Sequence, residues 1–292
     1  MLYDTTLDPH PSAPPDLGAY AHIRREEHLL VTGWERAARH EFDLDLVWPA
    51  VQGDLPYDPR VLAQTIRQTG LVVAHGAYDV PLAHQTVLSA LSFTVPAGPP
   101  LPRGRTTTAR VRVAVDEGAP GRRTRRTLRM TFHVQVDGAT LARAESEFGW
   151  IPERVYERVR GVRRHVEWGA WPVPDPVDAR TVGRTRPAEV VLAAADRPGR
   201  WLLRNDTGDH QLFDHPVDHV PGLALLEAAD QAARALCFPR PPAAGRIDAL
   251  YRRYVEFDLP CLIEAEPLAE PGAVRVTGTQ DGDEAFRVDF RP

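Results

Sequence analysis

Lysine is absent from this 292-residue chain, so all 35 of its basic side chains are arginine. That excludes a Schiff-base lysine, a pyridoxal-binding lysine and a P-loop lysine. An anionic ligand would have to be held by arginine, histidine or backbone N–H groups, and arginine suits phosphate because its guanidinium forks two donors toward two oxygens. Cysteine is nearly absent. Cys237 and Cys261 stand alone without a C-x-x-C pair, which excludes a disulfide scaffold and fits a reducing cytosol. Cys237, just before Phe238-Pro239, reads as a small core hydrophobe rather than a nucleophile. None of the four serines, Ser12, Ser89, Ser92 and Ser146, lies in a G-x-S-x-G elbow. No G-x-G-x-x-G or Walker pattern occurs, so no nucleotide cofactor is expected. No apolar run approaches membrane-spanning length and the first twenty residues lack an apolar signal core, so the expectation is a cytoplasmic, unprocessed protein. The net charge of −5 supplies no field for nucleic acid or an anionic membrane.

What is present is ordinary in bulk and repetitive in order. Hydrophobic and charged fractions of 43% and 26% are those of a globular protein, and the length suggests about two domains. Glu27 to Pro49 reads as two short strands around a turn. A helix over Pro59 to His75 follows, with Asp58 as N-cap and Pro59 at its first position. Strand-like runs come at Thr86–Val95, Thr106–Val115 and Thr127–Glu147, the last folded at Asp137-Gly138, a strong hairpin signal. The second half restates the order. Glu189 to Asp206 gives two strands, Pro221 to Leu236 a helix, and Ala249–Leu259, Cys261–Leu268, Ala273–Thr279 and Glu284–Phe290 strands, with a turn at Asp281-Gly282. Glu27 matches Glu189, Gln68 matches Gln231 and Pro96 matches Pro260, at offsets of 162, 163 and 164 (189 − 27, 231 − 68, 260 − 96). This points to duplication at domain scale. The boundaries expected are a first domain over 20–153, a linker over 154–187 and a second domain over 188–292. Within the linker, the basic stretch ERVYERVRGVRRHVEWG reads as a solvated helix face and WPVPDPVDARTVGRTRP as a proline-rich connector.

The richest stretch for chemistry is Phe213 to Ala233, FDHPVDHVPGLALLEAADQAA. Asp214, His215, Asp218 and His219 crowd a short loop, Pro221-Gly222 opens an apolar helix, and Glu227 lies inside it. A carboxylate among Leu223, Ala224, Leu225, Leu226, Ala228 and Ala229 is costly to bury unless it is paired or protonated. Beside a histidine-rich loop it is a candidate general acid or base, or else a satisfied structural acid. Asp214 and Asp218 would orient the histidines or cap the loop. His215 and His219 have metal-ligand spacing, but Pro216 and Pro221 argue against one regular element carrying both, so no metal is expected. His75 and His84, at the end of the first helix, read as structural.

In each half, one helix that is apolar on more than one face is surrounded by about five strands, which suggests an α+β fold with an antiparallel sheet curled around a central helix. Here the sequence resembles the hotdog fold. More closely, LFDHPVDHVPGLALLEAADQAA and YDPRVLAQTIRQTGLVVAH resemble the AfsA-type A-factor (gamma-butyrolactone) biosynthesis family, in the family's order from about Ile23 to Phe290. The resemblance implies two tandem hotdog domains forming an intrachain pseudo-dimer, either monomeric or weakly self-associating. It also implies an acyltransferase that needs no cofactor. Such an enzyme moves a 3-oxoacyl group from acyl carrier protein to the hydroxyl of dihydroxyacetone phosphate, and the ester then closes to a phosphorylated butenolide. Fitted to that chemistry, Glu227 or His219 would be the base, with His215, Asp214 and Asp218 beside them, and N–H groups around Gly222 would meet the thioester oxygen. Arg204 and Arg67 would face the phosphate, and Gln231 and Gln68 complete the candidate substrate contacts. Two positions depart from the family pattern: Gln64 stands where the first repeat should match Glu227, and Asp230 stands where arginine is expected. Gln64 implies one active centre rather than two, and Asp230 puts the handling of phosphate in question. A hotdog-type acyl-thioester hydrolase or dehydratase, and a non-catalytic acyl- or lactone-binding protein, are the alternative readings.

Overall fold

Alternating apolar and polar residues, broken by Asp-Gly pairs, build most of the chain into antiparallel strands. In the computed structural model, which describes residues 16–51, 57–96, 101–116, 127–240 and 245–292, twelve strands form one sheet. They are β1 (Val31–Ala38), β2 (Glu41–Trp48), β3 (Gln85–Thr94), β4 (Thr107–Asp116), β5 (Thr127–Val136), β6 (Ala139–Ile151), β7 (Leu192–Ala194), β8 (Arg200–Leu203), β9 (Arg246–Tyr251), β10 (Cys261–Pro267), β11 (Val274–Gln280) and β12 (Asp283–Arg291). The helices are α1 (Leu17–Ala21), α2 (Pro59–Tyr78), α3 (Glu153–Arg160) and α4 (Gly222–Cys237).

The spatial order β1-β2-β4-β5-β6-β3-β9-β12-β11-β10-β8-β7 is a palindrome. Each half contributes six strands in equivalent places, and β3 pairs with β9 at the seam, Ala90 opposite Leu250 through Thr94 opposite Arg246. The halves are two tandem hotdog-like units joined edge to edge, which makes the chain its own pseudo-dimer. Closing the edge strands against each other also removes two exposed edges. The hairpins repeat as well: Asp137-Gly138 and Asp281-Gly282 both hold φ between 50° and 81° at the two central residues, the geometry of a type I′ turn.

The two long helices lie inside the curl. Asp58 accepts from Arg60 N at 2.9 Å to start α2, and α2 stops at Asp79 in the left-handed region. Every residue from Gln68 to His75 is buried, as is every residue from Ala224 to Ala233 of α4. Burial over two or more consecutive turns means sheet on several sides, not one amphipathic stripe. The glutamines at matching positions show the duplication most directly. Gln68 accepts from Leu30 N at 2.8 Å and donates to His28 O at 2.8 Å, while Gln231 accepts from Val191 N at 3.0 Å and donates to Glu189 O at 2.7 Å.

Two expectations change. The strand placed at Ala249–Leu259 runs only from Arg246 to Tyr251, because Arg252 N and Arg253 N both turn to Ala285 O and the chain leaves the sheet. The linker is not simply a connector. Gly161, at φ 52°, ends α3 after eight residues. Beyond it Trp168 and Trp171 pack on Phe257, Trp171 stacked at 4.2 Å, and Trp171 Nε1 donates to Asn205 O at 2.8 Å. The loop before α4 is thereby clamped from outside. The Pro/Gly-rich stretches at 97–100 and 117–126 lie outside the described residues.

Gly278 of β11 faces Phe286 of β12, and a Cβ placed there would fall 1.9 Å from that buried ring. Gly278→Ala is expected to lower stability by about 1–3 kcal/mol, because the ring must leave its rotamer. Equilibrium denaturation measures this, and an unchanged midpoint would contradict the packing.

Candidate functional site

The loop ahead of α4 and the buried faces of α2 and α4 gather three polar clusters. The first is a knot. Asp218 accepts from Tyr156 OH at 2.6 Å and from Arg160 Nε at 3.0 Å, and Arg160 also donates to both oxygens of Glu256, at 2.6 and 2.7 Å. His219 Nδ1 lies 2.7 Å from Asp218, and its ring meets Tyr254 edge-on at 4.6 Å. Burial works against ionisation of Asp218, but the His219, Tyr156 and Arg160 donors outweigh it and hold the carboxyl down at about 2. Burial, with the bond to Asp218, pushes the Tyr156 phenol upward. Asp218 and His219 thus fasten α3 to the start of α4, and with His219 Nδ1 on Asp218 its Nε2 is the nitrogen left over, as in the Asp214–His215 pair.

The second cluster joins the loop to the first repeat. Asp214 Oδ2 accepts from Arg24 N at 2.8 Å and pairs with His215 Nδ1 at 3.0 Å. Its Oδ1 accepts from Arg25 N at 3.2 Å and pairs with His28 Nδ1 at 3.3 Å. Burial opposes the charge, and these donors still pull Asp214 below the usual carboxylate range. With His215 Nδ1 bound, Nε2 is left as its outward nitrogen. Arg67 of α2 lies within the electrostatic field of Asp214, and Arg67 and His215 both act on His22. Among the described residues its one hydrogen bond runs to a backbone carbonyl, Nη1 to Ala21 O at 3.2 Å. Burial pulls Arg67 down to about 10, against Asp214, so it remains a cation at neutral pH. His22 completes the group, its ring 4.9 Å from His75. Burial first, then Arg67, His75 and His215, lower His22 to about 4 and leave it neutral. Nε2 of His22 and Nε2 of His75 are buried without partners.

The third cluster surrounds Glu227. Its Oε1 accepts from Arg184 Nε at 2.8 Å and from Gln231 Nε2 at 2.7 Å, with Arg184 Nη2 also at 2.7 Å, whereas its Oε2 is buried without a partner. Arg184 Nη2 continues to Asp230 at 2.9 Å, and Arg234 donates to Asp230 at 2.7 and 3.1 Å. Burial raises the cost of the Asp230 charge, but Arg234 and Arg184 prevail and lower its pKa. Arg60, bidentate on Asp58, lies within the field of Glu227. Burial, reinforced by Glu227, raises Asp209 against the pull of Arg60. Burial and Asp230 push Tyr57 up to about 12. Glu227 and Asp230 line a cleft with Pro59, Arg60 and the apolar Phe93, Leu223, Leu226, Ile247 and Phe290, where α2, α4 and both half-sheets meet.

Several sequence-derived placements therefore change. Glu227 is caged by Arg184 and Gln231; it forms no hydrogen bond with His215 or His219. Arg204 is a tether, donating from Nε to Pro174 O, from Nη1 to Val190 O and from Nη2 to Asp206. Gln68 and Gln231 are taken up by backbone groups, and Gln231 also by Glu227. Gly222 does open α4: Tyr251 OH bonds its carbonyl at 3.1 Å, and its own N–H meets no acceptor among the described residues. Sequence reading missed His22 and Arg184. His22 sits in a terminal stretch without periodicity, and Arg184 is one of eight arginines from Arg154 to Arg186; Glu227 and Asp230, two carboxylates in one apolar helix, signalled that a cation must come from elsewhere. Among the described residues, no group of three or more histidine, cysteine or acidic side chains is arranged to hold a metal. No described helix is long and apolar enough to cross a membrane.

Against known proteins, the family model of the A-factor biosynthesis hotdog domain matches residues 15–152 and 169–240. A 2-oxo-3-(phosphooxy)propyl 3-oxoalkanoate synthase of Streptomyces virginiae is 36% identical over 269 residues, 88% of this chain and 90% of that protein. The protein of the same name in Streptomyces coelicolor is 32% identical, across 92% of this chain and 88% of its own length. Among solved structures, a 12:0-ACP thioesterase from Umbellularia californica superposes with a TM-score of 0.54 at 14% identity, over 88% of this chain and 98% of that one. A putative oleoyl thioesterase from Lactobacillus plantarum gives 0.51 at 13%, over 87% and 96%. At these identities the likeness to the thioesterases is one of fold.

Asp230→Ala leaves Arg184 buried beside Glu227 with half its countercharge, and is expected to destabilise the fold by about 3 kcal/mol; a loss below about 1 kcal/mol in urea denaturation would show the cage to be dispensable. His22 gives a pH signature. The unfolded chain binds its proton near 6.5 and the folded chain only near 4. Its contribution to stability is therefore complete above 6.5, is lost as pH falls from 6.5 to 4, and is constant below. His22→Gln should flatten that segment of the stability curve; an unchanged slope would place His22 in water.

Proposed function

The chain belongs to the A-factor biosynthesis hotdog (AfsA) family, and on that premise we propose that it is an acyltransferase. It moves a 3-oxoacyl group from acyl carrier protein to the hydroxyl of a phosphorylated three-carbon acceptor, dihydroxyacetone phosphate. Its relatives' name describes the ester that such a transfer makes, and this chain spans nearly their whole length.

The observation that carries the assignment of roles is the pairing of a free cation with an oriented base. Among the described residues no carboxylate is hydrogen-bonded to Arg67, and Asp214 of the Asp214–His215 dyad acts on it through its field. Electrostatics separate this place from the other. Around Glu227, the cations Arg60, Arg184 and Arg234 face Asp58, Asp209, Glu227 and Asp230, and a phosphate there would meet existing carboxylates. Around Arg67 the facing carboxylate is Asp214, whose backbone carbonyl also accepts from Arg25 Nε at 3.3 Å, and the neighbouring His22 is neutral. The phosphate of the acceptor is held at Arg67, a charge-assisted contact. His215 Nε2 takes the proton of the acceptor hydroxyl, and Asp214 stabilises the imidazolium that forms. The alkoxide attacks the thioester carbonyl, whose oxygen is met by the Gly222 N–H at the start of α4. The C–O bond forms, the C–S bond breaks, and the imidazolium returns the proton to the departing thiolate. The acyl chain enters the apolar cleft between the half-sheets, which is nearly closed in this structure and has to widen to hold it.

A second reading rests on the unpartnered Oε2 of Glu227, which lines that cleft and could itself receive the hydroxyl proton. The two readings part in one experiment on transfer from a 3-oxoacyl carrier protein. His215→Asn is expected to lower kcat roughly 10²–10⁴-fold. Arg67→Gln is expected to raise the KM for the phosphorylated acceptor roughly 10–100-fold, the loss of a charged hydrogen bond. Full activity in His215→Asn, with collapse in Glu227→Gln, would move the base to Glu227.

A further inference from the structure

Beyond the acyl-transfer chemistry, α3 and the 3-10 turn that follows it at Gly161–Arg164 present a face that the rest of the fold does not use. Val159 is 60% exposed and Val162 87%, unusual for valines fixed in regular structure. Arg154 and Arg158, one turn apart, are exposed and have no acidic partner among the described residues. The neighbouring Glu153 and Glu157 are both engaged by Arg164. Arg163, with 46% of its side chain exposed, reaches toward Glu256 at 3.6 Å. In a chain of net charge −5, this is a local reversal of sign around two bare aliphatic side chains.

The face is rigidly held. On the opposite side of α3, Tyr156 and Arg160 are buried, and both bond Asp218, three residues ahead of Pro221 and the start of α4. A body resting on Val159 and Val162 would sit directly over the segment that leads into α4 and the apolar cleft.

We infer that this face docks the acidic carrier protein that brings the acyl thioester, with Arg154, Arg158 and Arg163 meeting its carboxylates and Val159 and Val162 the apolar centre of the contact. The inference rests on the proposed function for the identity of its partner. The charge complementarity is its main argument: cations on the rim of an interface chiefly set the on-rate and its salt dependence, while the apolar centre sets the lifetime.

The test uses the full chain and two donors with the same 3-oxoacyl group, one on holo carrier protein and one on N-acetylcysteamine, which has no protein surface. Arg154→Glu/Arg158→Glu reverses charge at exposed positions and leaves the core untouched. With the carrier-borne donor its KM is expected to rise about tenfold or more, the scale of lost electrostatic steering, with kcat retained. With the N-acetylcysteamine donor both constants should match the parent. Raising salt should weaken the parent with the carrier-borne donor and barely affect the variant. Val162→Ser should raise the same KM without changing its salt dependence. Equal KM values for parent and charge-reversed enzyme with the carrier-borne donor would overturn the docking face. If the parent transfers from neither donor, the proposed function fails instead. Fluorescence anisotropy of labelled acyl carrier protein then decides docking separately: binding to the parent lost in the charge-reversed variant supports the face, and equal binding or none overturns it.

Discussion

Two central helices with no face to water impose the main constraint on this fold. A polar side chain on such a helix cannot be solvated, so it needs an internal partner or it carries a desolvation cost of several kcal/mol. Several of those on α2 and α4 answer that demand in a specific way. Gln68 and Gln231 bracket the backbone ahead of the first strand of their own halves, accepting one N–H and donating to one carbonyl. Asp230 draws Arg184 from the connecting segment and Arg234 from the next turn of α4. Arg67 has only a carbonyl from the end of α1. Unsatisfied atoms remain in this interior, among them Gln64 Oε1 and Thr65 Oγ1 on α2, Glu227 Oε2 on α4, and the Nε2 atoms of His22 and His75, and they mark where the constraint is relaxed.

The duplication gives a frame for reading that relaxation. With Gln68 and Gln231 equivalent, Glu227 corresponds to Gln64 and Asp230 to Arg67, so the two helix faces have opposite charge at matching places. Where the helix carries acids, the chain has supplied arginines from three separate elements: Arg60 from α2, Arg184 from the connector and Arg234 from α4 itself. Where the helix carries arginine, the opposing loop offers a single carboxylate, already engaged by two backbone N–H groups and two histidines. A fold with two equivalent centres has thereby become asymmetric, with one face closed by its own ion pairs and the other left short of anions.

Much of this was legible in the sequence because its determinants are local. Asp58-Pro59 starts α2, Pro221-Gly222 starts α4, and Asp-Gly pairs turn both hairpins, each through backbone chemistry within four residues. The constant offset between halves reappears as the mirrored strand order. What was not legible depended on contacts far apart in the chain. Asp214 reaches its partners Arg24 and Arg25 across 190 and 189 residues, and nothing near Phe213 announces them. Arg184 meets Glu227 across 43 residues, from a stretch whose composition reads as linker. The end of β9 was misplaced for the same reason: Tyr254 and Val255 have good strand propensity, yet they are drawn out of the sheet to pack on Arg160 and His219 and to bond Val220 N.

These distant contacts also explain why the connector between the halves is more than a tether. It crosses from the last strand of the first repeat to the first strand of the second, and on the way it makes three attachments: Arg160 to Asp218, Trp171 to Phe257 and Asn205, and Arg184 to Glu227. All three land on the second half, at the loop before α4, at the aromatic wall beneath that loop, and on α4 itself. A loop bearing His215, His219, Pro216 and Pro221 would otherwise have few backbone bonds to define it. Held at three points, it can present Asp214 and His215 to the first repeat at a fixed distance, which a base and a cation acting on one small acceptor require. The palindromic sheet creates the place where the halves meet, and the unduplicated connector decides which of its two faces is left open.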